Sequence, residues 1–68
     1  MNLLRNRVAF ITGASAGIGE ATAGLFAEEG ANLILTARRG DRVQKLAERL
    51  RKEYQINVHF FQLDVRNQ

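Results

Sequence analysis

The sequence has no cysteine, no proline and no tryptophan, and only one histidine (His59) and one tyrosine (Tyr54). Without cysteine there is neither a disulfide framework nor a thiolate metal site, and a cytoplasmic location is expected. A single imidazole excludes the usual clustered histidine metal sites. No apolar run approaches the ~18 residues of a membrane span, so neither a transmembrane helix nor a membrane partner is expected. The opening residues 1–7, MNLLRNR, carry charge but no long apolar core or cleavage site, and are not expected to act as a signal peptide. Low-complexity linkers and internal repeats are also missing.

What is present is a chain of 68 residues, 46% apolar and 25% charged, the composition of one small soluble domain. A parallel or mixed sheet covered on both faces normally needs about twice that length. Net charge is +3, unevenly placed. Residues 1–37 carry Arg5 and Arg7 against Glu20, Glu28 and Glu29. Residues 38–68 carry eight basic side chains against Asp41, Glu48, Glu53 and Asp64, beginning abruptly at Arg38-Arg39. Such an excess suits a nucleic-acid surface, a solvated helix or a local anion site. The nucleic-acid reading is set aside: no aromatics are interleaved from Arg38 to Lys52, and Asp41, Glu48 and Glu53 interrupt the basic stripe.

Arg7 to Thr12 reads as a short buried strand ending at glycine. From Gly17, the residues Ile18, Ala21, Thr22, Leu25 and Phe26 recur at helical spacing, with Glu20, Glu28 and Glu29 on the wet side. This helix is expected to end at Gly30, suited to the left-handed C-terminal position. Asn32 to Ala37 is a second, nearly continuous apolar strand. Val43, Leu46, Ala47, Leu50 and Tyr54 form the apolar stripe of a second helix, with Asp41 as its expected N-cap. Asn57 to Val65 supplies a third strand. Continuous apolar strands alternating with helices imply an α/β fold: a three-stranded parallel βαβαβ unit, half of a doubly wound sheet.

At the first strand-to-helix junction stands Thr12-Gly13-Ala14-Ser15-Ala16-Gly17-Ile18-Gly19. Free N–H groups and the dipole of a helix N-terminus attract anions, and a nucleotide-binding βαβ unit places its pyrophosphate there. Gly13 would allow the sharp turn, Gly17 a close approach of phosphates, and Gly19 close packing of helix on sheet. The spacing G-x-x-x-G-x-G is neither the G-x-G-x-x-G of many dinucleotide folds nor a P-loop. Arg38 and Arg39 follow about 20 residues later, where an acidic residue would accept the ribose hydroxyls of NAD. Two guanidinium groups suit a 2′-phosphate instead; the alternative is a solvated pair leading into a basic helix.

These residues resemble the short-chain dehydrogenase/reductase family, Rossmann-fold enzymes that move hydride between NAD(P) and an alcohol or carbonyl. Thr12-Gly-x-x-x-Gly-Ile-Gly19 is similar to its cofactor motif, Thr36-Ala37-Arg38-Arg39 to its second-strand terminus, and Leu63-Asp64-Val65 to its third. The combination most resembles the branch that oxidises serine and other 3-hydroxy acids with NADP. The resemblance implies cofactor contacts at Gly13, Ser15, Ala16, Gly17, Ile18, Gly19, Arg38 and Arg39. It also implies that the Asp64 side chain meets the adenine amino group while the Val65 backbone follows the ring. From the residues alone, Asp64 is also an ordinary strand-end polar residue, Ser15 a loop stabiliser, and His59 structural. The family's catalytic Asn–Ser–Tyr–Lys set has no counterpart here, because Val58 stands four residues after Tyr54, where a Tyr-x-x-x-Lys pattern needs lysine.

The expectation is therefore the N-terminal NADP-binding half (residues 1–68) of a longer, cytoplasmic oxidoreductase acting on a small-molecule hydroxy or carbonyl substrate. Such an enzyme is expected to be a homo-oligomer that binds neither nucleic acid nor membrane. The alternative is a non-catalytic NADP-binding redox sensor.

Overall fold

The computed structural model describes residues 3–14 and 16–63. Five elements alternate: β1 (Val8–Ile11), α1 (Gly17–Glu28), β2 (Asn32–Ala37), α2 (Gly40–Tyr54) and β3 (Val58–Gln62). The strands form one parallel sheet in the order β1-β2-β3. Val8 lies beside Asn32 and Ile11 beside Leu35, while Leu33 pairs with Val58 and Ala37 with Gln62. This is the βαβαβ half of a Rossmann sheet that the sequence order predicts. Among the described residues no helix is long and apolar enough to cross a membrane.

Helix α1 packs on β1 and β2, α2 on β2 and β3, and the helices touch, so both cover one face of the sheet. Strand alternation sends Ile11, Leu33, Leu35 and Val58 to that face, where all are buried. Opposite them α2 presents Val43, Leu46, Ala47 and Leu50, with Tyr54 partly buried at the edge, which is the expected stripe. Full burial of a leucine stabilises by roughly 1.5–3 kcal/mol, so Leu33, Leu35 and Leu50 anchor the core. The other face is uncovered: Val8 is 64% exposed, Phe10 63% and Phe61 57%.

Of the large apolar residues expected to face inward from helix α1, Phe26 packs against the core but Ile18 and Leu25 do not. Ile18 and Leu25 are exposed, whereas Ala23 and Ala27 are buried. With Gly19 these form an i, i+4, i+8 row of small residues, which lets the helix axis approach the sheet closely. Isoleucine or leucine on that row would hold the helix away. Glu20 is correspondingly half-buried, and accepts a hydrogen bond from Arg49 Nη2 at 3.5 Å.

The helix ends show which local signals succeed. After α1, Gly30 adopts φ 90°, its N–H donates to the Ala27 carbonyl at 3.0 Å, and the Ala31 N–H donates to the Phe26 carbonyl at 3.0 Å. That is a Schellman closure at the expected glycine. Asp41, by contrast, is not the N-cap of α2. The extended Arg39 takes that place, because its carbonyl already accepts the Val43 N–H at 3.1 Å. Asp41 falls in the first turn, 3.7 Å from Arg39 Nε and favourably placed at the positive end of the helix. At the far end Gln55 is left-handed at φ 57° without being glycine. Arg51 secures this end: Nε donates to the Val58 carbonyl at 2.9 Å, Nη2 donates to the same oxygen, and the guanidinium lies 5.8 Å from the Phe60 ring centroid.

Candidate functional site

Parallel strands end on one edge of the sheet, so the segments after β1, β2 and β3 gather there. Thr12, Gly13, Thr36, Ala37, Arg38 and Leu63 line a hollow of about 150 Å³ at that edge. Open α/β sheets bind ligands outside the carboxyl ends of their strands, which is this edge.

The turn from β1 into α1 is fixed by backbone hydrogen bonds. The Ala14 N–H donates to the Thr36 carbonyl at 2.9 Å, and the Ala16 N–H to the Gly13 carbonyl at 3.2 Å. Ala14 is fully buried, so the turn is pinned to the end of β2. The three glycines then separate by cause. Gly13 has φ 65°, a left-handed conformation that other residues enter only with strain. Gly19 has no such conformation, but an added Cβ would collide with the Gly13 carbonyl, 2.8 Å from its carbon, and lie 3.1 Å from Ala14 Cα. Gly17 is required by neither: its φ is ordinary and an added Cβ would meet nothing within 4 Å.

Open space above Gly17 coincides with a helix start that has no side-chain cap among the described residues. The N-cap Ala16 is extended at φ −116° and ψ 153° and has no side-chain acceptor for the first-turn N–H groups. The N–H groups of Gly17, Ile18 and Gly19 come before the point where intrahelical acceptors exist. The dipole adds its positive end at the same place. Chemically this is an anion cradle with room for a backbone-close phosphate.

Arg38 and Arg39 leave the end of β2 with exposed side chains. Arg38 borders the strand-edge hollow, and its carbonyl accepts from Gln62 Nε2 at 3.3 Å. Arg39 faces a second hollow towards β3 that Gln44, Phe60 and Gln62 also line. Its pair with Asp41 is solvent-exposed, with side chains 63% and 65% accessible. Such pairs contribute about 1 kcal/mol or less, so a phosphate can displace the carboxylate. Ser15, Asp64 and Val65 lie outside the described residues. Tyr54 ends α2 roughly 20 Å along the helix axis from Gly40, the end nearest the strand-edge site. It takes no part in chemistry at that site.

One feature has only a faint sequence signal. Between α1 and α2 runs a groove of about 340 Å³ lined by Ala14, Glu20, Arg42, Lys45, Leu46 and Arg49. Its three cations recur at i, i+3 and i+7, a spacing equally suited to a solvated face.

The profile of the short chain dehydrogenase family matches residues 7–68. The chain belongs to the short-chain dehydrogenase/reductase family. It is 55% identical over 51 residues to the A-factor type gamma-butyrolactone 1′-reductase (1S-forming) of Streptomyces virginiae, covering 75% of this chain and 20% of that one. Among solved structures, L-sorbose reductase from Gluconobacter frateurii, complexed with NADPH and L-sorbose, superposes with TM-score 0.87 at 40% identity. That match covers 94% of this chain and 25% of the reductase. The bulky-bulky ketone specific alcohol dehydrogenase from Comamonas testosteroni gives TM-score 0.83 at 45% identity, covering 85% and 24%. The chain thus spans about a fifth to a quarter of the length of these family members.

Proposed function

We propose that residues 1–68 are the NADP(H)-binding half of a Rossmann domain in a longer dehydrogenase or reductase. Gly17 carries this reading: it is a glycine that neither backbone conformation nor packing requires, at the head of a helix with no side-chain cap among the described residues. A bound phosphate supplies the missing requirement, since it occupies the space a Cβ would take. The N–H groups of Gly17, Ile18 and Gly19 would donate to the pyrophosphate, with Ser15 and Ala16 completing the turn around it. Arg38 and Arg39 would hold the adenosine 2′-phosphate, and Asp64 with the Val65 backbone would bracket the adenine.

The cofactor, when bound, donates or accepts the hydride. This chain's part is to bind and orient it at the strand edge, and proton transfer falls to residues outside these 68. Names of family members that act on a butyrolactone, a sugar and a bulky ketone support a small hydroxy or carbonyl substrate. The 3-hydroxy acids remain the candidate class on the resemblance of the cofactor segment. A cytoplasmic homo-oligomer is the proposed setting.

The test is competitive binding of NADPH and NADH to the wild-type protein and to Arg38→Ala/Arg39→Ala. Removing a 2′-phosphate contact must discriminate between the cofactors, so NADPH affinity should fall by tenfold or more while NADH affinity changes little. Equal losses for both would refute the assignment.

A further inference from the structure

We propose that Arg42 and Lys45 form a second cationic wall for the 2′-phosphate, so that cofactor choice is read in the groove between α1 and α2. The proposal rests on the NADP reading above and relocates part of its selectivity. The groove's lining includes Ala14 of the glycine turn, a buried residue held to the end of β2 through the Thr36 carbonyl. Leu46 belongs to the same lining and gives the groove an apolar element. Arg42 lies in the first turn of α2 and Lys45 in the second, both bordering this groove.

The distribution of existing ion pairs favours this wall. Arg39 borders the opposite hollow and is 3.7 Å from Asp41. Arg49, on the same lining, lies 3.5 Å from Glu20 and offsets the one carboxylate among the described lining residues. No ion pair or hydrogen bond to the side chain of Arg42 or Lys45 occurs among the described residues. A phosphomonoester carries about −1.5 to −2 charge at neutral pH and offers three acceptor oxygens, enough for the Arg42 fork and the Lys45 ammonium together. Side chains three apart on a helix point to the same side, so both can reach one anion.

The test titrates the full-length enzyme that carries these residues by calorimetry with adenosine 2′,5′-bisphosphate and with adenosine 5′-monophosphate. Wild type is compared with Arg42→Gln/Lys45→Gln, with the charge-retaining swap Arg42→Lys/Lys45→Arg, and with Arg38→Gln/Arg39→Gln. Positions 42 and 45 are exposed and glutamine is a good helix former, so circular dichroism should not change. The expected result is at least a tenfold loss of bisphosphate affinity in the Gln/Gln variant. Monophosphate affinity should hold, and the swap should restore most of the loss. If wild type discriminates between the nucleotides and the Gln/Gln variant discriminates equally well, this inference falls while the NADP reading stands. If wild type binds both equally, or neither, both fall.

Discussion

Gly19→Ala isolates the packing requirement at the glycine turn. The new methyl would collide with the Gly13 carbonyl and sit 3.1 Å from Ala14 Cα. Both neighbours are backbone, and the turn cannot retreat without stretching the 2.9 Å bond from the Ala14 N–H to Thr36. Overpacking of this kind costs about 1–3 kcal/mol, while alanine's helix propensity returns at most about 1 kcal/mol. A net loss of about 0–2 kcal/mol remains even when the whole propensity gain is returned. Gly24 is the internal control: it lies in the same helix, and a Cβ there meets nothing within 4 Å. Gly24→Ala should gain up to about 1 kcal/mol from propensity and from a less disordered unfolded chain. The two substitutions are chemically identical, yet their effects should have opposite signs. A core this small leaves the folded and unfolded states nearly balanced. A difference of about 1.4 kcal/mol changes their ratio tenfold. Urea titration followed by far-ultraviolet circular dichroism should therefore rank the variants Gly24→Ala, wild type, Gly19→Ala. If Gly19→Ala matched or exceeded wild type, the close contact would be irrelevant. If Gly24→Ala lost as much as Gly19→Ala, helix–sheet contact would not be what separates them.

Other expectations follow from single features. Gly17→Ala should leave the urea midpoint unchanged or raise it slightly, yet weaken NADPH binding by tenfold or more in a fluorescence titration, and unaltered binding would remove the phosphate from that position. Gln55→Gly should raise stability by about 0.5–1 kcal/mol, because relief of left-handed strain at φ 57° exceeds glycine's added unfolded-state entropy; a loss would show the strain to be negligible. Residues 1–68 alone should be weakly folded and prone to associate through the uncovered β1 edge, with Phe10→Lys shifting the sedimentation profile towards monomer; a monomeric wild type with a cooperative transition at several molar urea would contradict this.

Much of the architecture is legible in the residues because burial leaves a periodic trace. Strand β2 begins and ends at the expected Asn32 and Ala37, since a central parallel strand reads as an unbroken apolar run. Helix α2 is equally plain: Val43, Leu46, Ala47 and Leu50 are its only strongly apolar positions before Tyr54, so the stripe has one possible facing. Helix α1 defeats the same method. Its inward row is Gly19, Ala23 and Ala27, small residues that any scale weighted by apolar area ranks below the exposed Ile18 and Leu25. The start of α2 is hidden for a related reason: helices begin where a backbone carbonyl finds its partner, and Arg39 does so without a capping side chain.

The site divides along the same line between what spacing records and what contact decides. Three glycines at a strand-to-helix junction stand out in the sequence, but only backbone angles and neighbouring atoms assign one to conformation, one to packing and one to open space. The row Arg42, Lys45 and Arg49 is harder still. Cations at i, i+3 and i+7 look the same whether they face water or wall a groove, because helical periodicity identifies a side and says nothing about what stands across from it. Across from this row stand Glu20 of α1 and Ala14 of the glycine turn. Glu20 engages Arg49 and leaves the two cations nearer the start of α2 beside the turn. The same charges on a helix with no neighbour would be a solubility device; their place beside the glycine turn is what the proposed reading of the cofactor's extra phosphate rests on.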